Sequence, residues 1–510
     1  MPRTVAGGER SRVPVPSTCF PMFRHLLKHA SNYTLGNGLM ILAGLVSFPI
    51  LTRVLSVDEY GLMSLIATAL SLLVGIGKLG MQHATLRFFS EVQAGKRAVG
   101  NDAFVSTVVY GMAAVGAIAT LLWAALASMV PVSWWNDDPR VHPLMLFTAV
   151  LILVRVFDSA LVNQLRAQER SGALMVYSVT RRYVGLALLL AVLFYVAGNV
   201  WGFYAATIAG EVLATVTMAV WMFRRDPPRP KAFSPSLFRA MLAFGIPMIG
   251  YELSSIVLSM GDRYIIQSLL GAESLGVYSA AYNMCDYIKS MLFGSLVAAA
   301  QPMYMRYWEQ DGPQITSEFL GRFMRVYIMA AMLVIAGLAA IGGELLSFLA
   351  SEKYRSGAAV IPYVMAGMAI ESVLIITGAG LYIQKRTKTI MLLVFLSAVL
   401  NIGLNFLLIP KLGLIGAGVA TFISYLLLMA VGATLGRGSL PFPMPGWAAL
   451  KFGAIAAVMY VAVIRIDFHD NLNTMLARMV AGLIIYSALT LALDRDARQG
   501  VGIVRGKLGW

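Results

Sequence analysis

The sequence predicts an all-α polytopic membrane protein: about fourteen transmembrane helices, in two six-helix lobes with two further C-terminal helices. Three observations carry that prediction. Of 510 residues, 58% are apolar and only 13% charged, with a mean hydropathy of +0.74; soluble chains run nearer 45–50% and about 25%. Apolar runs of about 20 residues, the length a bilayer core demands, recur from end to end. The chain also repeats itself at an offset of about 215 residues.

Taken in order, a polar, Pro-containing stretch at 1–30 reads as a cytoplasmic tail. The first apolar run, 33–53, is too long for a cleavable signal peptide, and a second, 61–81, follows at once. Runs at 103–130, 144–165, 172–197 and 201–223 complete a first lobe, 31–223. RRDPPRPKAFSPSLFR (224–239) is too basic and Pro-rich to span, so it reads as the linker. Runs at 240–260, 275–302, 325–350, 358–383, 388–409 and 414–435 make a second lobe, 240–436. Two more, 446–465 and 475–493, occupy 437–493, before a tail at 494–510.

The net charge is +15. The basic residues sit in short connections between apolar runs, where the positive-inside rule places them, and no basic stretch interleaved with aromatics suggests nucleic acid. With the N-terminus inside, 26 Lys and Arg fall on the terminus-bearing side and eight on the other. This predicts both termini in the cytoplasm. Cys19 and Cys285 make neither a disulfide framework nor a metal site.

The repeat lays RVLSVDEYGLMSLIA (53–67) over SLLGAESLGVYSAAY (268–282), pairing Leu55 with Leu270, Asp58 with Glu273, Gly61 with Gly276 and Ser64 with Ser279. LRAQERS (165–171) lies over LYIQKRT (381–387), and WGFYAAT (201–207) over IGAGVAT (415–421). The offset covers six spans, an even number, so the halves share orientation. They should relate by a pseudo-two-fold axis along the membrane normal. Two such lobes facing each other are an alternating-access design.

FPILTRVLSVDEYGLMSL (48–65), GIGKLGMQHATLRFFSE (75–91) and RAQER (166–170) resemble the polysaccharide-transport, Wzx-type flippases of the MATE-like MOP exporter superfamily. The resemblance runs from about 30 to 435. Its most specific part is Leu51, Thr52, Arg53, Leu55, Glu59, Tyr60 and Gly61. It implies an inward/outward switch and a substrate of an undecaprenyl-pyrophosphate-linked oligosaccharide, moved to the periplasmic leaflet for O-antigen, capsule or exopolysaccharide. It also implies a polymerase and export machinery as partners. Residues 1–21 have no counterpart in it, and Met22 is an alternative start. A lipid II flippase or cation-coupled drug exporter of the same superfamily is the alternative, and a membrane polysaccharide polymerase a remoter one. The short outer connections, the longest PVSWWNDDPRVHP (131–143), argue against the polymerase.

Charges inside spans are expensive and mark function. Arg181 and Arg182 fall near mid-membrane in the fifth span; with Lys78 and Arg87 they would line a cationic site, because guanidinium forks match phosphate oxygens. The alternative is that the span starts later and both arginines snorkel. Arg155 and Asp158, like Asp286 and Lys289, share a helix face and could neutralise each other. Arg155 and Glu371 are repeat-equivalent and opposite in charge, which suggests an inter-lobe gate. Asp158, Glu211, Glu252 and Asp286 are candidates for coupling to a proton or sodium ion. No Walker-type loop, catalytic constellation or His/Cys ligand spacing is present, so the expectation is a transporter, not an enzyme, with no cofactor or metal.

Overall fold

The computed structural model describes residues 19–499 apart from 98, 130, 225, 439, 441–443 and 469. The expected N-terminal tail up to residue 18, and positions 500–510 of the C-terminal one, lie outside the described residues.

The first half contains α1 (Cys19–Val54), α2 (Val57–Gly77), α3 (Met81–Gln93), α4 (Asn101–Met129), α5 (Val141–Thr148), α6 (Val150–Ala167), α7 (Ser171–Tyr195) and α8 (Val200–Phe223). The second contains α9 (Pro235–Met260), α10 (Asp262–Lys289), α11 (Ser295–Gln310), α12 (Gly312–Leu349), α13 (Ile361–Ser372), α14 (Leu374–Thr377), α15 (Ala379–Ile383), α16 (Thr387–Leu412) and α17 (Leu414–Arg437). Then come α18 (Gly446–Val463) and α19 (Asn471–Leu493). Local chemistry sets several boundaries. Ser56 and Glu59 form a reciprocal capping box on α2, Asn199 caps α8, and Asp470 caps α19. Ser234 caps α9 with Pro235 at its first position.

Among the described residues, twelve helical stretches are long and apolar enough to cross a membrane, against the fourteen expected. The difference has two sources. Positions 235–294 count as one 60-residue stretch that takes in the seventh expected run and most of the eighth, 275–302; within it Gly271, at φ +82° and ψ 178°, breaks the helix. The expected run 358–383 is divided into α13, α14 and α15, none of them long enough alone. At the start, α1 begins at Cys19, well before the expected 33, because helix continues below the apolar run.

The repeat is visible in the backbone itself. Glu169 and Lys385 both adopt the left-handed conformation, each at φ +56°, between α6 and α7 in one half and α15 and α16 in the other. The same hydrogen bonds close both turns: Arg170 N–H donates to Leu165 O, and Arg386 N–H to Leu381 O. A left-handed non-glycine residue is costly, so its recurrence at equivalent positions marks the two halves as copies of one design.

Helices α18 and α19 pack on α12 of the second lobe, outside the repeat. Asp494, buried at the end of α19, accepts from Arg325 at 2.6 Å and Lys451 at 2.9 Å. At the other end Arg478 meets Glu344 at 3.0 Å and Ala340 O at 2.9 Å. Position 494 is therefore a structural anchor, not the start of a free tail. Hydrogen bonds from Lys451, the Ala497 N–H and Arg325 outweigh burial and hold the Asp494 carboxyl down at about 2. Asp494→Asn is expected to lower the melting temperature in detergent. The sign follows from a depressed pKa: the wild-type advantage is complete above about 4, the ordinary carboxylate value, and disappears as pH falls through about 2. Melting curves of both proteins across that range check it.

Candidate functional site

The two lobes meet where the repeat is densest. Helices α2 and α10 cross at Gly61 and Gly276, the pair matched in sequence. A Cβ on Gly61 would lie 2.0 Å from Ala272 O; one on Gly276 would lie 1.9 Å from Val57 O. Val57 and Ala272 are themselves repeat-equivalent, and Ser279 Oγ donates to Ser64 Oγ at 2.8 Å. The crossing is self-complementary, as a two-fold contact must be. Only glycine allows backbones this close.

Around it, the residues of the specific motif bind the opposite lobe. Thr52 Oγ1 donates to Ala350 O at 3.1 Å, and Arg53 donates to Leu349 O at 3.2 Å and Phe348 O at 2.7 Å. These carbonyls end α12, where helical partners run out, so the first lobe caps a helix of the second. Lys353 returns a hydrogen bond to Leu55 O, and Asn283 donates to Tyr60 Oη at 2.9 Å. Glu59, the exception, stays within its own lobe and accepts from Val200 N–H at the start of α8. The face at the α1–α2 turn is closed by this set.

Towards the terminus-bearing face a second seam joins α2 and α3 to α9. Lys78 Nζ lies 3.7 Å from Glu252, and the Gln82 amide donates to the same carboxylate. A Cβ on Gly80 would lie 2.0 Å from Gly245 O. Arg87 stacks its guanidinium 4.6 Å from the centroid of Phe244, and pairs with Glu91 at 3.1 Å. Lys78 and Arg87, expected together in a cationic lining, thus do share a region, but Arg87 spends its charge on Glu91 and an aromatic ring.

Arg181 and Arg182 part company. Arg181 turns into the first lobe, paired with Asp158 and with Glu211 at 3.3 Å. Arg155 grips Glu211 with a two-pronged contact, both at 2.9 Å, and Tyr177 donates to Asp158. The result is a closed network of two arginines and two carboxylates on α6, α7 and α8. Asp158 and Glu211 therefore hold arginines, where the sequence suggested ion coupling. Arg155 pairs with Glu211 and not with its helix neighbour Asp158, because the i to i+3 spacing competes with a fork-to-fork geometry on the facing helix. Arg182, one residue on, points the other way. It is exposed and has no ion pair or hydrogen bond among the described residues, and Tyr287 of the opposite lobe lies within its electrostatic reach. Tyr287 itself packs against Gly44 and Phe48 of α1.

In the second lobe Lys289 joins Asp286 at 2.9 Å and Glu371 at 3.1 Å. The expected Asp286–Lys289 pair is present. The expected gate between Arg155 and Glu371 is not formed in this structure: each pairs inside its own lobe, Arg155 with Glu211 and Glu371 with Lys289. Glu371 also lines a cavity of about 260 Å³ with Tyr251, Ser255, Tyr382 and Tyr425. Tyr425 is the repeat-equivalent of Glu211, so the Arg–Glu contact of one lobe is replaced by a Glu–Tyr pair of positions in the other.

Two residues escaped the sequence reading. Gln82 is polar in an amphipathic helix and gave no sign of reaching α9. Arg263 reads as part of an outer connection, yet it is buried in α10 with its guanidinium 4.7 Å from the Tyr282 ring centroid. Its repeat-equivalent is Phe48, inside α1, and that offset was the available signal.

Residues 26–308 match the family described as "Polysaccharide biosynthesis protein". Among curated relatives, the membrane protein MJ1068 of Methanocaldococcus jannaschii is 24% identical over 415 residues, 74% of this chain and 78% of that one. The probable low-salt glycan biosynthesis flippase Agl15 of Haloferax volcanii is 21% identical over 260 residues, 48% and 54% of the two chains. Of solved structures, the lipid II flippase MurJ in an inward closed conformation superposes with a TM-score of 0.70 at 14% identity, over 92% of this chain and 99% of that one. An inward-facing multidrug resistance MATE transporter of the MOP superfamily gives 0.62 at 16%, over 80% and 94%. The fold is that of these transporters, as the sequence resemblance predicts.

Proposed function

The chain belongs to the polysaccharide biosynthesis protein family, and from that premise we propose that it is a flippase for a lipid-linked oligosaccharide repeat unit. It carries an undecaprenyl-diphosphate-linked glycan across a bacterial inner membrane by alternating access, towards the periplasmic leaflet. One observation carries the reading: two equivalent lobes meet along a seam where Lys78 is held by one loose contact, while Arg182, exposed and without an ion partner among the described residues, lies within electrostatic reach of Tyr287 of the opposite lobe. A mobile diphosphate needs cations of that kind, because an arginine already saturated by carboxylates has no donors left to offer. The exposed basic residues Arg224, Arg229, Lys231, Arg239, Lys385 and Arg386 support a cytoplasmic terminus-bearing face.

The test is deletion of the gene, extraction of lipid-linked oligosaccharides and assay of surface polymer. The expected result is loss of polymer with repeat units held on the cytoplasmic leaflet. Wild type restores export. Normal polymer with changed drug tolerance would point to the exporter reading, and repeat units gathered on the outer leaflet to a polymerase.

A further inference from the structure

Among the described residues, Lys78–Glu252 is the one ion pair that joins the two lobes; every other pair closes within a lobe or its appended helices. Its geometry differs from the rest. At 3.7 Å it makes no hydrogen bond, and both side chains remain about a quarter exposed, 26% and 25%, whereas Arg155–Glu211 is bidentate. A loose, partly solvated pair contributes little to stability, so a competing anion displaces it readily. Beside it, the Gln82 amide nitrogen is spent on Glu252 and its Oε1 is buried without a partner.

The backbone here is also held under tension. Between α2 and α3, Leu79 sits at φ +47° and Gly80 at φ +66°. A left-handed leucine is strained, and it persists only where packing enforces it. The enforcing surface is α9, at Gly245, in a helix that carries Pro247 within its span.

Resting on the flippase reading, we propose that Lys78–Glu252 is a substrate-operated latch: the diphosphate of the incoming lipid takes Lys78 from Glu252 and loosens the seam of α2 and α3 against α9. Lys78 cannot serve both anions fully, so closure of this seam and binding of the diphosphate exclude each other at one residue. That exclusion is a coupling free energy, and it is reciprocal. A diphosphate outcompetes the carboxylate because it offers more charge and more acceptor oxygens. Entry of the headgroup thereby parts the lobes on the terminus-bearing face.

The experiment is a double-mutant cycle on the full-length protein in nanodiscs, with undecaprenyl diphosphate as the probe and inorganic pyrophosphate alongside it. Glu252→Gln is expected to tighten binding about tenfold, within the usual range of such couplings, and Lys78→Met to weaken it. In the Lys78→Met background, Glu252→Gln is expected to change nothing. Tightening of equal size with and without Lys78 would be general electrostatics and would overturn the latch while leaving the flippase reading intact. Failure of wild type to bind undecaprenyl diphosphate overturns both.

A second readout follows the seam directly. The Phe88 and Phe244 rings lie 6.2 Å apart, so cysteines at both positions, in a background lacking Cys19 and Cys285, report its closure by cross-linking. Undecaprenyl diphosphate is expected to reduce the cross-linked fraction severalfold, and to have no effect in Lys78→Met. A fraction insensitive to the lipid in wild type overturns the proposal. If inorganic pyrophosphate opens the seam as well as the lipid does, the operator is the diphosphate alone; if only the lipid does, the chain contributes to opening.

Discussion

Replacing Gly61 with alanine is expected to reduce transport at least tenfold and to open the face at the α1–α2 turn. The added methyl would stand 2.0 Å from the carbonyl oxygen of Ala272. That neighbour is backbone, so relief requires α2 and α10 to separate along their crossing. Overpacking of this kind costs about 1–3 kcal/mol and occasionally more. Each 1.4 kcal/mol is roughly a factor of ten in an equilibrium, so the closed state would lose much of its population. Gly276→Ala is expected to do the same by symmetry, against Val57 O. Gly453→Ala, with nothing near its Cβ, should be silent. Cysteines at Ser64 and Ser279, whose hydroxyls are 2.8 Å apart, supply the measurement. Their disulfide should form readily, stop transport and release it on reduction; adding Gly61→Ala should slow its formation. Unchanged cross-linking and transport in Gly61→Ala would remove the crossing from the mechanism.

Arg181→Ala and Arg182→Ala, neighbours in sequence, are expected to fail in opposite ways. Losing Arg181 strands Asp158 without a cation and leaves Glu211 with Arg155 alone. Breaking a buried pair in this manner costs about 3–5 kcal/mol, so the variant should show poor yield and a sharply lowered melting temperature. Arg182→Ala removes an exposed side chain with no ion partner among the described residues. It should purify and melt like wild type, yet restore little surface polymer in the deletion strain. Yield, melting temperature and polymer, measured on both, decide the matter. An Arg181→Ala protein as stable as wild type would refute the network, and full polymer from Arg182→Ala would take it out of the substrate path. Arg181→Lys is expected to recover stability only in part, because an ammonium cannot reproduce the fork.

These contrasts show how far reading residues in a line reaches. That Arg181 and Arg182 are costly in a membrane is visible in composition and span length. Which of them faces a carboxylate depends on the rotation of α7 against α6 and α8, and a hundred degrees per residue sends neighbours to different surroundings. The matched pairs Gly61 with Gly276 and Ser64 with Ser279 were legible as a repeat; that they touch each other was not, because equivalence in a repeat says nothing of distance from its axis. Arg155 and Glu371 make the opposite case, equivalent and complementary in charge, yet each satisfied within its lobe.

What the sequence determined by itself is the membrane class, the two-lobe repeat, the helical runs and the resemblance to the flippases. Each is written in local composition, in hydrophobic length or in similarity between segments. The tertiary structure alone decided which charges are spent and which remain. Arg155 reaches Glu211 across 56 positions, and Gln82 reaches Glu252 across 170. The partner of a buried charge is set by how helices lean on one another, and a carboxylate three residues away loses to one on a facing helix whenever that geometry lets both prongs of a guanidinium close.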